Sequence, residues 1–154
     1  MKKIIIIAVS LFVIFGVIMY GLYDFFTIDT RYATRFGNVL SNYNIEQTDE
    51  FFNDSTKIIS SDKESTYREC RKNIVNAFRE KNFHIYKNSS YGHGDNRFKN
   101  GIQKISIRLM GAYNDKTLGE CIVTMKLKKK DMLNYTIESI ESDSEFFRCI
   151  FFGE

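Results

Sequence analysis

The chain has 154 residues, of which 22 are Lys or Arg and 19 are Asp or Glu, enough for one domain and a short additional segment. Lys2 and Lys3 are the only charged side chains before Asp24, so the rest of the chain has 20 basic and 19 acidic residues. This balance argues against a nucleic-acid-binding domain. Three cysteines are too few for a disulfide-stabilised scaffold. They fit either three buried thiols or one bridge, between Cys121 and Cys149.

Residues 4–23 form an uncharged segment of twenty residues, 13 of them Ile, Leu, Val or Phe. As a helix the segment would span roughly 30 Å, the thickness of a bilayer's hydrocarbon core. We therefore expect a membrane anchor over residues 1–27 and a domain over residues 28–154. Lys2 and Lys3 before the segment predict a single-pass protein of the cell membrane with a cytoplasmic N-terminus and an extracellular domain. Secretion after cleavage is the alternative, although no small-residue cleavage site follows the segment.

The first half of the domain predicts helices separated by one short strand. Apolar residues at helical spacing predict helices over residues 29–43 and 65–81. Between them we expect a short helix over residues 49–53, capped by Thr48, and a strand over residues 55–60. A polar connection over residues 61–65 leads into the second long helix. The apolar positions of the two long helices are Tyr32, Phe36, Val39, Leu40 and Tyr43, and then Tyr67, Cys70, Ile74, Ala77 and Phe78.

The second half predicts mostly antiparallel strands. Alternating apolar residues indicate strands over residues 82–89, 105–109, 121–127 and 133–139. The glycine-containing stretch 91–101 predicts a loop, and residues 114–116 and 128–131 predict turns. The last two strands should form a hairpin. After them, the spacing from Ser142 to Glu145 resembles a capping box and favours a final helix over a final strand.

The order of these elements resembles the nuclear transport factor 2-like (NTF2-like) fold, which is also called cystatin-like. The Phe51–Phe52 pair at the end of the second helix, followed by a short strand near Thr56, is similar to the pattern in that family. The resemblance implies an α+β cone, in which two or three helices pack on a curved, mostly antiparallel sheet with a pocket at one end. The C-terminal segment from Ile137 to Gly153 is similar to uncharacterised extracytoplasmic proteins of Gram-positive bacteria.

Four side chains could contact a ligand in the pocket of such a cone. Arg108, Tyr113 and Tyr135 lie on or near predicted strands, and His93 lies in the predicted loop. Tyr135 also shares the strand parity of Ile137, which favours a place in the core. His93 has too few neighbouring ligand residues for a zinc site, and we expect no metal and no cofactor.

A lysine run at the predicted hairpin turn, Lys126 and residues 128–130, fits a solvated turn. Contact with anionic lipid or wall polymer is the alternative. Because no nucleophile–base pair or phosphate-binding loop is present, we expect a non-catalytic module that binds an unknown protein or a small apolar ligand. The alternatives are a small isomerase, dehydratase or hydrolase using Tyr, Asp or Glu in the cone, a membrane-complex assembly scaffold, and an immunity protein.

Overall fold

The computed structural model describes residues 2–92, 102–113, 116–131 and 134–154. Within these ranges four helices and six strands follow one another. They are α1 (Lys2–Ser41), α2 (Ile45–Phe51), β1 (Lys57–Ser60), β2 (Lys63–Thr66), α3 (Tyr67–Glu80), β3 (Phe83–Gly92), β4 (Ile102–Tyr113), β5 (Lys116–Lys129), β6 (Tyr135–Glu141) and α4 (Glu145–Phe152).

The apolar segment and the first helix of the domain form a single helix, α1, of 40 residues. Nothing between Tyr23 and Asp29 interrupts a helix, since no proline or glycine occurs there. The segment Ile6–Tyr23 is long and apolar enough to cross a membrane, with a mean hydropathy of 2.4, and none of it is buried in the domain. The helix stops at Ser41, two residues earlier than predicted, and Tyr43 then takes a left-handed backbone conformation with a φ of 50°.

The six strands form one sheet in the order β2-β1-β6-β5-β4-β3. All neighbours are antiparallel except β1 and β6, which run parallel. The predicted hairpin of the last two strands is confirmed as β5–β6. The predicted connection over residues 61–65 is wrong in part, because Lys63–Thr66 pairs with β1 as an edge strand. Residues 102–104 and 116–120 belong to strands that are longer than the alternation predicted.

The short helix begins earlier than predicted, because Asn44 caps it instead of Thr48. The Asn44 side-chain oxygen accepts a hydrogen bond from the Gln47 amide at 3.0 Å. Thr48 is buried inside α2. In α4, likewise, the cap is Ser144, whose hydroxyl accepts from the Phe147 amide at 3.2 Å, so the predicted capping box from Ser142 is wrong. The final helix itself is confirmed.

All four helices contribute to one hydrophobic core on the inner face of the sheet. Alternate residues of the central strands point into it, such as Ile105 and Ile107 of β4 and Val123 and Met125 of β5. Aromatic rings supply much of the remaining volume, and the Phe51–Phe52 pair packs edge to face with ring centroids 4.9 Å apart. The predicted α+β cone is therefore present, with its helices on one side of the sheet.

Candidate interaction surfaces

The interior of the cone is lined by apolar side chains that pack on one another. Phe52 contacts Tyr67 at 5.1 Å and Phe151 at 6.3 Å between ring centroids. The rings of Phe147 and Phe151 are tilted by 35° to each other, with centroids 4.6 Å apart. All of these rings are buried. Among the described residues, the inner face therefore presents a packed core to its helices.

One polar pair is buried at the end of the cone from which the apolar part of α1 departs. The Gln103 side-chain nitrogen donates to Asp29 at 3.0 Å, and the two residues are 1% and 7% exposed. Sequence reasoning assigned Gln103 to no element, since it lies between the predicted loop over residues 91–101 and the predicted strand over residues 105–109. The hydrogen bond links α1 to the start of β4. Each buried polar group satisfies part of the other's hydrogen-bonding capacity.

Two of the predicted ligand-binding residues, Tyr113 and Tyr135, lie at opposite ends of the sheet. Tyr113 pairs with Lys116 at the start of β5, whereas Tyr135 pairs with Lys129 at its end. Asn82 donates to the Tyr113 hydroxyl at 3.1 Å, and burial raises the pKa of Tyr113 above its ordinary value. Tyr135 is half-buried, and its ring meets that of Tyr32 edge to face at 6.3 Å. These two tyrosines cannot contact one small ligand.

The other two predicted residues do not join either tyrosine. Arg108 lies on the outer face of the sheet, where it forms an ion pair with Glu120. His93 lies outside the described residues. The ligand-binding role of the four side chains stays a prediction. The three that the structure describes, Arg108, Tyr113 and Tyr135, do not lie in one site.

The outer face of the central strands instead carries an exposed mixed surface, which we call the outer-sheet patch: Tyr86, Arg108, Met110, Glu120 and Ile122. Arg108 pairs directly with Ile122 and Met110 with Glu120 across β4 and β5, so these four side chains share one face. The exposed fractions are 66% for Tyr86, 44% for Met110 and 50% for Ile122. Tyr, Met and Arg are enriched at protein interfaces relative to other surfaces.

Sequence reasoning missed most of this patch. Ile122 was visible as an apolar residue at an outward position of an alternating strand. Met110 lay beyond the predicted end of its strand. Tyr86 sits at a β-bulge, since the pairing of β3 with β4 shifts between Ile85 and Lys87, and a bulge has no reliable signature in one sequence.

Two grooves lie on the outside of the domain. One, of about 820 Å³, follows the polar side of α1 and the adjoining part of α2, and is lined by hydroxyls, amides, Arg31 and Arg35. The Arg35 guanidinium lies over the Phe51 ring at 5.3 Å. The second groove, of about 550 Å³, lies beside β1, β5 and β6, where three lysines line it together with Glu138. The lysines are Lys57, Lys126 and Lys128.

A cluster of ionisable side chains joins α2 to α3. Arg71 donates to both carboxylate oxygens of Asp49 at 2.8 Å, and the Tyr67 hydroxyl donates to the same carboxylate at 2.7 Å. The Arg71 hydrogen bonds lower the pKa of Asp49, against the opposing effect of burial. Burial and the bond to Asp49 raise the pKa of Tyr67. These three bonds hold α2 and α3 together, which is a structural role for the carboxylate.

The three cysteines are free and buried. The structure therefore contains three buried thiols, Cys70, Cys121 and Cys149, and not the alternative bridge. Burial raises the pKa of each thiol. Within the described ranges no group of three His, Cys, Asp or Glu residues could hold a metal ion.

Comparison with known proteins identifies the fold. No family model and no curated protein matches the sequence. A cystatin-like domain of unknown function from Nostoc punctiforme is similar in structure with a TM-score of 0.60 and 11% identity, over 80% of this chain and 78% of that one. An NTF2-like protein from Cytophaga hutchinsonii gives a TM-score of 0.55 and 12% identity, over 76% and 95% of the two chains.

A candidate ketosteroid isomerase from Shewanella frigidimarina has the same fold, with a TM-score of 0.53 and 12% identity, over 73% of this chain and 91% of that one. A candidate enzyme and a domain of unknown function thus share the architecture, and fold alone does not imply an activity. The chain has an α+β fold of the NTF2-like, cystatin-like type, preceded by an apolar helical segment.

Proposed function

We propose that the protein is a non-catalytic binding module, anchored in the cell membrane by residues 6–23, whose extracytoplasmic domain presents the outer-sheet patch to a protein partner. The observation that carries the proposal is the asymmetry of the sheet. Its inner face is buried under four helices, whereas its outer face exposes Tyr86, Met110 and Ile122 around an ion pair. Exposed apolar side chains grouped on one face mark interaction sites more often than scattered ones do.

The anchoring half of the proposal is supported by α1. Its large apolar side chains from Ile6 to Met19 are at least half exposed, and no residue from Ile6 to Tyr23 is buried in the domain. Such a surface is unfavourable in water and favourable in a bilayer. The position of Lys2 and Lys3 supports a cytoplasmic N-terminus.

The non-catalytic half is supported by where the ionisable groups lie. The described core is apolar, and its buried carboxylate, Asp29, is bonded to Gln103. The small-enzyme alternative would need a carboxylate or tyrosine open to substrate inside the cone. The Asp49–Tyr67–Arg71 cluster brings a carboxylate and a tyrosine together, but their hydrogen bonds join α2 to α3.

The test is site-specific photocrosslinking of the full chain in its native membrane. A photoreactive residue replaces Tyr86 or Ile122 in separate variants, and a third variant carries it at Lys72, which is exposed on α3. The proposal expects one discrete adduct from both sheet positions and none from Lys72. It also expects Ile122→Glu to remove the adduct formed through Tyr86, because a charge in the apolar centre of an interface is costly.

The mass of the adduct distinguishes two kinds of partner. An adduct of twice the chain's mass identifies a second copy as the partner, and any other fixed mass identifies another protein. Crosslinks that are equally abundant from Lys72, or absent from both sheet positions, would contradict the proposed binding surface.

A further inference from the structure

One end of the sheet is held close to the apolar segment by two contacts along α1. Asp29 accepts from Gln103 near the start of β4, and the Tyr32 hydroxyl donates to the backbone carbonyl of Tyr135 at the start of β6, at 3.1 Å. Tyr43, beyond the other end of α1, bonds to the carbonyl of Phe83 at the start of β3. The β5–β6 turn therefore lies on the side from which the apolar segment leaves the domain.

Five lysines gather at this end, and we call them the anchor-end lysines: Lys104, Lys126, Lys128, Lys129 and Lys130. Lys104 pairs directly with Lys126 across β4 and β5. Residues 128–130 are exposed and run into the turn. Among the side chains that the structure describes at this end, the acidic ones beside the lysines are Glu138, whose carboxylate is 3.6 Å from the Lys128 amine, and Asp131, which accepts hydrogen bonds from Asn134.

The lysines lie on the same side of the Asp29–Gln103 contact as the apolar segment. From Asp29 back to Tyr23, α1 extends about 9 Å at 1.5 Å per residue. Leu127 is the register partner of Gln103, and from Leu127 forward to Lys130 the chain covers about 10 Å at 3.3 Å per residue. The helix and the strand therefore extend over similar lengths from one shared contact, toward the end of the domain from which the apolar segment departs.

We propose that the anchor-end lysines bind the anionic headgroups of the membrane leaflet from which the domain emerges, and so hold the domain against the bilayer. This inference rests on the anchoring proposed above. Lysines close to an anionic surface are attracted to it, whereas the same charges beyond a Debye length, about 10 Å at 0.1 M salt, are screened. The outer-sheet patch lies farther along β4 and β5, so the two surfaces do not compete.

The matching of charge and position favours a lipid surface over a soluble polyanion. A polyanion in solution requires no particular level along the helix axis, whereas headgroups are fixed at the end of the membrane-spanning segment. Lys126 and Lys128 also line the groove beside β1, β5 and β6, with Glu138 as their acidic neighbour.

The test uses the full chain in lipid nanodiscs and a fluorophore on a new cysteine, Asn134→Cys, at the turn. The three native thiols are buried, so the new thiol is labelled selectively. Thr117→Cys, exposed at the opposite end of β5, is the distal control. Nitroxide-labelled headgroups quench a fluorophore that approaches the surface. Discs contain phosphatidylcholine alone or with phosphatidylglycerol.

The inference expects stronger quenching at residue 134 in the anionic discs than in the neutral ones, and no such difference at residue 117. High salt should remove the difference, since at 1 M the Debye length falls to about 3 Å. Replacing Lys128, Lys129 and Lys130 by Gln should also remove it. The matched control removes the same number of charges from the exposed face of α3, as Arg68→Gln, Lys72→Gln and Arg79→Gln, and should preserve the difference.

Equal quenching at residue 134 in both discs would overturn the inference. So would lysine-dependent binding of soluble polyphosphate by a protein whose quenching does not respond to anionic lipid, since that result assigns the lysines to a soluble polymer. Anchoring is scored separately, by co-elution of the labelled chain with the discs. A chain that stays outside both kinds of disc disproves the anchor, and a chain that enters them without a lipid-dependent signal disproves only the role of the lysines.

Discussion

Gly111 lies where β3, β4 and α4 approach one another most closely. A Cβ at this position would lie 2.7 Å from the backbone oxygen of His84 and 3.1 Å from two ring carbons of Phe146. The carbonyl cannot move without disturbing the ladder between the two strands. We expect Gly111→Ala to lower the free energy of unfolding by about 1–3 kcal/mol, as overpacked core substitutions do, measured by chemical denaturation of the full chain in detergent.

The control is Gly21→Ala, where an added Cβ meets nothing within 4 Å. Ala also has the higher helix propensity, so this variant should be as stable as the parent. Unchanged stability of Gly111→Ala, with Gly21→Ala behaving as expected, would show that the close packing around Gly111 is wrong.

The three cysteines give a second prediction at the residue scale. Because burial raises the pKa of each thiol, little reactive thiolate is present near neutral pH. We expect no rapid reaction of the folded protein with a thiol reagent, and three equivalents after denaturation. One equivalent after denaturation without reductant would show instead that Cys121 and Cys149 are bridged.

At the residue scale, the sequence predicted burial well and polar contacts poorly. The apolar stripes of α1 and α3 are buried as their spacing indicates. The Asp29–Gln103 pair was not predictable, because its partners are 74 positions apart and Gln103 lay outside every predicted element. The three described ligand candidates, Arg108, Tyr113 and Tyr135, do not converge for a related reason. Their places along the sheet depend on strand register, which a single sequence does not specify.

At the scale of elements, Asp49 gives a pH-dependent link between α2 and α3. Hydrogen bonds from Arg71, opposed by burial and aided by Tyr67, hold the pKa of Asp49 below its ordinary value. A carboxylate with a lowered folded-state pKa contributes its full stabilisation above the unfolded-state pKa, about 3.9, and loses it as the pH falls through the folded-state value.

Asp49→Asn should therefore be less stable than the parent at neutral pH, and the difference should shrink as the pH falls below about 4. Thermal unfolding measured across the acid range checks this. Glu50→Gln removes a neighbouring exposed carboxylate from the same helix and is the control. A difference between Asp49→Asn and the parent that stays constant down to the lowest pH would disprove the charged link.

Element boundaries were predictable where one physical signal dominated. The long helices and the β5–β6 hairpin follow from periodicity. The start of α2 was not predictable, since Asn and Thr are both good N-caps. In the fold Asn44 is the cap, and Thr48 is buried within the helix. Strand β2, of sequence Lys-Glu-Ser-Thr, has no apolar alternation because it lies at the edge of the sheet, where polar residues are common.

For the whole molecule, the order of elements was enough to predict the cone, because helices with one apolar stripe must cover one face of a sheet. The outer-sheet patch was less accessible to sequence reasoning. It combines residues from β3, β4 and β5, and Tyr86 reaches it through a bulge. The continuity of α1 from Lys2 to Ser41 was also missed, although it fixes which end of the domain adjoins the apolar segment.

The direct test of the membrane-anchored domain is the location of the intact full-length chain in bacterial cells, measured with protease added outside spheroplasts and membranes washed in alkaline carbonate. We expect a chain that retains Lys2 and Lys3, stays with the washed membrane, and loses its domain to the external protease. Recovery of the intact chain in the soluble fraction, or complete protection of the domain until the cells are lysed, would contradict the anchor and its orientation.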